Sequence, residues 1–410
     1  MTINNISFGA KINTIPKLEK IAGKRKTLPE IKLEGYTAMI GCDVFTPSCK
    51  IEKHDLLFKD KELFAIDDFD EGNVENQINY ILLNGKTVAP AIFDEHIHGG
   101  YGVSFHDSGE QEIRTLLKKL ANNGTGAVLA TTLPGSAEQI KKQIQILNNI
   151  IKNPDEYAAK IIGIHLEGPF LNKEKKGIHS IRDLMLPTIE NYKSFEPENI
   201  KMVTLAPELD VNYDLTKYLQ KRGVIVSAGH SIAAAKDIID SGIKHVTHLF
   251  NAMAPLHHRI PTIANEGLTN PNVTAEMIAD EASIIPEIMN MTMKIKPKDK
   301  FVLISDALPN AGIKEDFIMN NKMIHVDENW VPRDADGTLA GTMKFLPEVA
   351  KKLIEDTCMT FRNFIRFASV NPAKTFGFLE KFTLKKGLSP IFSIWDNAKM
   401  IPEKTFVNND

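Results

Sequence analysis

Ten of the twelve histidines lie between residues 96 and 258, and most share short apolar runs with carboxylates. "DEHIH" carries Asp94, His96 and His98, and "IIGIHLEGPF" carries His165 and Glu167. "SAGHS" carries His230, "THLFNAM" carries His248 and "ISDA" carries Asp306. Alternate side chains of an extended strand share a face, so His96 and His98 form a pincer, with Asp94 on the same side. Imidazole nitrogens and carboxylate oxygens are the donors of a mixed N/O site suited to zinc or a neighbouring divalent ion. A catalytic site of that kind keeps one coordination position open. Burying so many ionisable groups unpaired is costly, and a metal gives the burial a reason. A lone strand histidine is usually structural, and His106, His165 and His245 are read that way. His165 shares a face with Glu167, one layer deeper.

These groups converge only if each stands at the end of its own element. From about residue 88 short β-branched runs alternate with helix-like stretches, the pattern of repeated βα units with a parallel sheet. The strand candidates are 87–98, 126–132, 161–168, 201–208, 223–230, 245–250, 274–280 and 301–307. Eight of them predict an α/β fold, a closed (β/α)8 TIM barrel, for which roughly 250 residues are typical. Such a barrel builds its active site at the C-terminal strand ends. His96 and His98 end strand one, Glu167 strand three, His230 strand five and Asp306 strand eight, while His248 lies near the end of strand six.

The intervening stretches carry helix signals. The segment 108–124 opens on a serine cap, with acids early and lysines late, and 136–152 places Ser136 and Gln139 in capping-box spacing. "IIPEIMNMTMKIK" has the spacing of a core-facing helix, and "MKFLPEVAKKLIEDT" and "TFRNFIRFASVNPAKTFG" read as two late helices closing the far side of the barrel. Residues 1–86 and 382–410 hold irregular strand candidates and are expected to join into one small β domain beside a barrel spanning 87–381.

Composition narrows the partners. A formal charge of −3 over 410 residues, spread along the chain, gives no field for gripping nucleic acid or an anionic membrane. The basic run "GKRK" at 23–26 reads as solvated surface. Three scattered cysteines make neither a disulfide framework nor a zinc knuckle and favour a reducing compartment. The first residues lack a signal-peptide pattern and nothing later approaches a membrane span, so a soluble cytoplasmic protein is expected.

The motifs together resemble the amidohydrolase superfamily and, within it, the N-acetylglucosamine-6-phosphate deacetylase family. The matching pieces are "PAIFDEHIHGGYG", "GIHLEGPFLNKEKKGIH", "LAPE", "SAGHS", "THLFNAMAPLHHR", "ISDA" and "GTLAGT". The bare "HIH" marks the superfamily; "HLEGPF" with "KGIH" and "HLFNAM" with "HHR" mark the deacetylases. The resemblance implies that Glu167, His230 and His248 hold a principal divalent metal, zinc being the expected ion. His96 and His98 leave room for a second, so one or two ions per subunit are implied. Asp306 would transfer protons and His179 would help polarise the acetyl carbonyl. Asn251, Ala252 and Arg259 would receive the sugar phosphate, with Ile178, Leu339, Ala340 and Gly341 beside them at the substrate. The pocket would be completed across a homodimer interface, Arg259 coming from the neighbour.

The implied reaction is hydrolysis of the acetamide of N-acetylglucosamine 6-phosphate to glucosamine 6-phosphate and acetate. Two departures qualify it. Where the family has "ADG.H" after strand seven this chain reads "IADEASII", with Glu281 for the glycine and Ser283 for the histidine. A carboxylate near a phosphosugar weakens anion binding, so either His257 or His258 compensates or the substrate differs. The alternatives are N-acetylgalactosamine 6-phosphate, a non-phosphorylated N-acetyl sugar or another N-acyl amine. The family's C-terminal "ADL" strand has no match in "LSPIFSIWDN". From a different class, a sugar-binding regulatory protein on an inactive scaffold is opposed by the intact ligand set and proton shuttle.

Overall fold

Apolar, β-branched runs that are buried on both faces belong in a covered parallel sheet, and all eight such runs form strands of one sheet. In chain order and in space they are Ile92–Ile97, Thr125–Thr132, Lys160–Glu167, Ile200–Leu205, Ile225–Ala228, His245–Val246, Thr274–Ile278 and Phe301–Ile304. Every side chain of Ile92–Ile97 and Thr125–Thr132 is buried. The sheet closes on itself just past the last strand. Ile97 pairs in parallel with Ala307, the His98 amide donates to Ala307 O at 2.9 Å and the Asp306 amide to His96 O at 3.0 Å. The result is a (β/α)8 barrel. This computed structural model describes residues 32–67, 78–320 and 322–408; the basic run at 23–26 lies outside the described residues.

The first strand candidate divides. Lys86–Pro90 leaves the barrel and pairs in parallel with Tyr36–Phe45 and antiparallel with Phe392–Asp396. Pro90 has no amide with which to continue a ladder, and the chain changes sheet at Ala91. There the Ala91 carbonyl accepts the Ser369 hydroxyl at 2.6 Å. The second sheet runs Ile401–Phe406, Phe392–Asp396, Lys86–Pro90, Tyr36–Phe45, Ile51–Lys59, Glu62–Ile66, with Ile78–Leu82 beside Tyr36–Phe45. The N- and C-terminal segments therefore build one sheet. "LSPIFSIWDN" supplies a central strand of it, anchored by the buried rings of Phe392 and Trp395.

The helix signals hold with one change. Ala137–Lys152 starts with a reciprocal capping box: the Gln139 amide donates to Ser136 Oγ at 3.3 Å and the Ser136 amide to Gln139 Oε1 at 3.0 Å. Glu110–Asn122 is capped at Gly109 instead of by a serine, because the Glu112 carboxylate takes the Gly109 amide at 2.8 Å. Ser108 is occupied elsewhere, accepting the Ser104 amide at 2.9 Å. Pro286–Ile295 turns Met289 into the core. Leu346–Asp356 and the helical run from Phe361 to Thr375, widened by a π turn at Arg366–Val370, pack under the barrel. Asn371 fixes them there, donating to Lys298 O and Phe301 O, both at 2.7 Å. A small antiparallel sheet of Phe317–Met319, Lys322–Val326 and Pro332–Asp334 follows barrel strand eight and was not anticipated. Among the described residues no helix is long and apolar enough to cross a membrane.

Candidate active site

Three residues of the chemical motifs sit at strand ends with left-handed backbone: His230 at φ 48°, His248 at φ 30° and Asp306 at φ 49°. Such conformations cost non-glycine residues on the order of 1–3 kcal/mol each and persist only where surrounding contacts over-determine them. The turn directs each side chain into the barrel mouth instead of along the sheet. Gly229 makes the His230 turn feasible by packing flat against Thr247 and Thr204, where a Cβ would stand 2.7 Å from Thr247 Cβ.

Glu167 is the hub. Its Oε1 lies 3.2 Å from His230 Nε2, 3.1 Å from His248 Nε2 and 3.3 Å from His96 Nε2. Its Oε2 lies 3.2 Å from His98 Nε2 and 3.6 Å from His179 Nε2. Asp306 Oδ1 completes the other side, 3.2 Å from His98 Nε2 and 3.6 Å from His96 Nε2. The structure thus gathers Glu167, His230, His248, His96, His98, Asp306 and His179, and it buries all of them but Asp306, which is partly exposed.

Positive charge is what this cluster calls for. His230 Nε2 and His248 Nε2 face each other at 3.0 Å, and the Nε2 of His96 makes no hydrogen bond among the described residues. The Lys175 carbonyl takes the proton of His230 Nδ1 at 2.7 Å, so the Nε2 lone pair is the one turned to the centre. Burial opposes charge on His98, but its bonds with Asp306 and Glu167 outweigh that and lift it to about 9. Burial holds His230 down at about 4. Burial pushes Glu167 up, yet His96 and the bonds from His179, His230 and His248 hold it well below the usual carboxylate range. Burial likewise opposes ionisation of Asp306, and the imidazoles of His98 and His96 bring its pKa down. Inward-facing imidazole lone pairs around ionised carboxylates fit a divalent ion, as one set of Glu167, His179 and His230 with His248 against the same carboxylate, and as a second of His96, His98 and Asp306 that also touches Glu167.

A buried polar ladder supports the cluster. His165 Nε2 bonds Thr204 Oγ1 at 2.8 Å, Thr204 bonds Thr247 at 2.8 Å and Thr247 bonds Ser227 at 2.5 Å. His245 reaches Ser227 at 2.9 Å and Glu95 at 3.1 Å. His165 and His245 are therefore structural, as expected. Glu208 of "LAPE" ties three loops together, accepting from Asn172, Ser231 and Ile232 at 2.9, 2.6 and 2.8 Å. Sequence reasoning passed over Glu95 and Glu276. Glu276 is the one ionisable residue of its barrel strand, a signal like that of Glu167, whereas Glu95 lies between Asp94 and His96.

The cluster forms the floor of a cavity of about 300 Å³. Ile178, His179, Asn251, Ala252, Leu339, Ala340 and Gly341 all line it. Asn251 Nδ2 is buried there without a hydrogen-bond partner among the described residues. Lys175 and Met319 also line it, the latter from the unanticipated sheet. Arg259 does not reach it; this residue is exposed on a loop between the exposed Leu256 and Ile260. Neither His257 nor His258 lines the cavity, and His257 Nδ1 is committed to the amides of Arg259 and Ile260 at 3.1 and 2.9 Å. Neither histidine therefore compensates for Ser283 within the chain's own pocket. Glu281 is turned to the exposed Lys352 at 3.0 Å, an ammonium that it shares with Asp356.

A parallel eight-stranded barrel with these donors at its C-terminal strand ends defines a hydrolase of the amidohydrolase type. The chain belongs to the amidohydrolase family, which its sequence matches over residues 87–410. Within it the chain groups with the N-acetylglucosamine-6-phosphate deacetylases, and it is an enzyme acting on an amide. It is 30% identical to the N-acetylglucosamine-6-phosphate deacetylase of Bacillus subtilis (strain 168) over 304 residues, 72% of this chain and 77% of the relative. It is 29% identical to that of Homo sapiens over 346 residues, 80% and 83% of the two chains. The structure of the Thermotoga maritima N-acetylglucosamine-6-phosphate deacetylase superposes with a TM-score of 0.78 at 26% identity, covering 90% of this chain and 99% of that one.

Proposed function

We propose that this enzyme is a metal-dependent deacetylase that hydrolyses N-acetylglucosamine 6-phosphate to glucosamine 6-phosphate and acetate. The observation that carries the reading is the convergence of Glu167, His98, His179, His230, His248 and Asp306 on the floor of one sugar-sized cavity, with His96 3.3 Å from Glu167. Zinc is the ion that suits the donor set, held by Glu167, His230 and His248, with a second held by His96, His98 and Asp306. Bound there, a divalent ion supplies an acidified water and polarises a carbonyl.

The chain's own residues do the rest. Asp306 takes the proton of the attacking water at Oδ1 as the new carbon–oxygen bond forms, and returns it to the amine nitrogen as the carbon–nitrogen bond breaks. That return is essential, because an unprotonated amine anion is a very poor leaving group. His179, lining the cavity beside Glu167, donates to the acetyl oxygen as negative charge develops. Asn251, Ala252, Ile178, Leu339, Ala340 and Gly341 orient the sugar. Lys175 attracts the phosphate, and Arg259 completes the pocket of a second copy in a homodimer, its loop flanked by the exposed apolar Leu256 and Ile260. The three cysteines are free, which suits a reducing cytoplasmic setting.

Acetate release from phosphorylated and non-phosphorylated N-acetyl sugars, with metal content measured on the same sample, tests the proposal. Turnover of the glucosamine phosphate ester ahead of its galactosamine epimer is the expected result. Turnover only of non-phosphorylated sugars overturns the substrate, and no turnover of any acylated amine by the metal-filled protein overturns the activity.

A further inference from the structure

Glu276 stands in the middle of barrel strand seven, Thr274–Ile278, completely buried. A single oxygen of its carboxylate serves two residues of the site. Oε2 lies 3.0 Å from His96 Nδ1 and accepts the backbone amide of His248 at 3.1 Å. The main chain adds a third tie, since the Leu249 amide donates to the Glu276 carbonyl at 2.9 Å. His96 belongs to the pincer of strand one and His248 to the set completed by Glu167 and His230. One oxygen atom therefore touches both halves of the proposed metal centre.

Two physical consequences follow. A carboxylate can only accept, so its partner nitrogen on His96 is the one that carries the proton. The Nε2 lone pair of His96 is thereby directed toward Glu167 and Asp306. The amide that Glu276 holds belongs to a residue with left-handed backbone, φ 30°, which needs such anchoring to persist. We propose that Glu276 is a positioning residue that makes the two ligand sets one unit, keeping His96 a donor through Nε2 and His248 in its turn. Loss of its acceptor weakens ion binding at both positions, most strongly at His96, His98 and Asp306. The inference rests on the two-ion form of the reading above.

The test measures metal and does not depend on turnover. The full-length chain is filled with zinc, dialysed against defined free zinc, and analysed for ions per chain and for affinity by chelator competition. Three forms are compared: the unaltered chain, E276M, which fills the same volume without an acceptor, and E276Q, whose amide oxygen accepts in the same place. E276M is expected to lose roughly 10–100-fold in affinity for the more weakly held ion, the usual effect of removing a group that orients a metal ligand. E276Q is expected to keep both ions within about tenfold of the unaltered chain, below that range. Unaltered affinity in a folded E276M, or equal loss in E276M and E276Q, overturns the assignment. Should E276M fail to fold, E276Q decides alone: retention of both ions supports the role and loss overturns it. An unaltered chain that takes up one ion overturns this inference and leaves the deacetylase reading intact. Absence of acetate release from a chain holding both ions does the reverse.

Discussion

The Asp306 amide donates to the carbonyl oxygen of His96 over 3.0 Å, joining the last barrel strand to the first at two residues of the site. The His98 amide repeats the join one step further, reaching Ala307 O at 2.9 Å. Closure of the barrel and placement of the pincer against the aspartate are thus one set of bonds. Groups held on joined strands keep their geometry better than groups held on loops.

Because that seam is made by main chain, Asp306→Asn leaves it intact while it removes the proton acceptor and the carboxylate of the second ion set. Acetate release should fall by about 10²–10⁴, the range general acid–base catalysis supplies. Metal should remain bound at Glu167, His230 and His248. Retained activity would refute the shuttle.

Chelation should cost stability as well as activity. An ion at a thousandfold its dissociation constant stabilises the folded chain by about 4 kcal/mol. The chelated protein should melt several degrees lower, and added zinc should restore the melting temperature. An unchanged melting curve after complete removal of metal would contradict a bound ion in the folded state.

Lys175 lines the cavity, and no ion pair with it is found among the described residues. If its ammonium meets the phosphate, Lys175→Ala should raise KM for the phosphorylated sugar roughly five- to tenfold, the ~1 kcal/mol of a partly solvated charge pair, with kcat unchanged. KM for the non-phosphorylated sugar should not move. Equal effects on both sugars would assign Lys175 to loop structure instead.

Gly229→Ala places a methyl group 2.7 Å from Thr247 Cβ and 3.0 Å from Thr204 Cγ2, two rigid neighbours. Overpacking of this kind costs about 1–3 kcal/mol. The strain falls on the residue before His230, so calorimetry should show a lower melting temperature and chelator competition a weaker metal site. Normal metal affinity would show that the strand shifts without disturbing His230.

Much of this was legible in the sequence because a parallel barrel writes itself as repeated buried runs, and because chemistry at strand ends interrupts those runs with ionisable residues. Glu167, His230, His248 and Asp306 announced themselves that way. Glu276 carries a like signal and Glu95 lies between Asp94 and His96, but both stand inside their strands rather than at the ends, and only the register of neighbouring strands reveals what they touch. The division of the first run at Ala91 was hidden because both halves are equally apolar and only Pro90 marks the change. Ser108 looked like a cap because spacing says nothing of Ser104, which competes for it. The tail was expected to give strands of the small β domain, but the partner of Phe392–Asp396 was not readable, because Lys86–Pro90 is some three hundred residues away.

That pairing sets an order of events during synthesis. Lys86–Pro90 leads straight into the first barrel strand, and Phe392–Asp396 seals its open edge. While the chain is still emerging, that edge exposes unpaired backbone beside an unfinished apolar surface, the condition under which nascent chains stick to one another. Some three hundred further residues must leave the ribosome before Trp395 can cover it. Truncating the last strands should therefore lower the yield of soluble protein in cells far more than their distance from the catalytic groups would suggest.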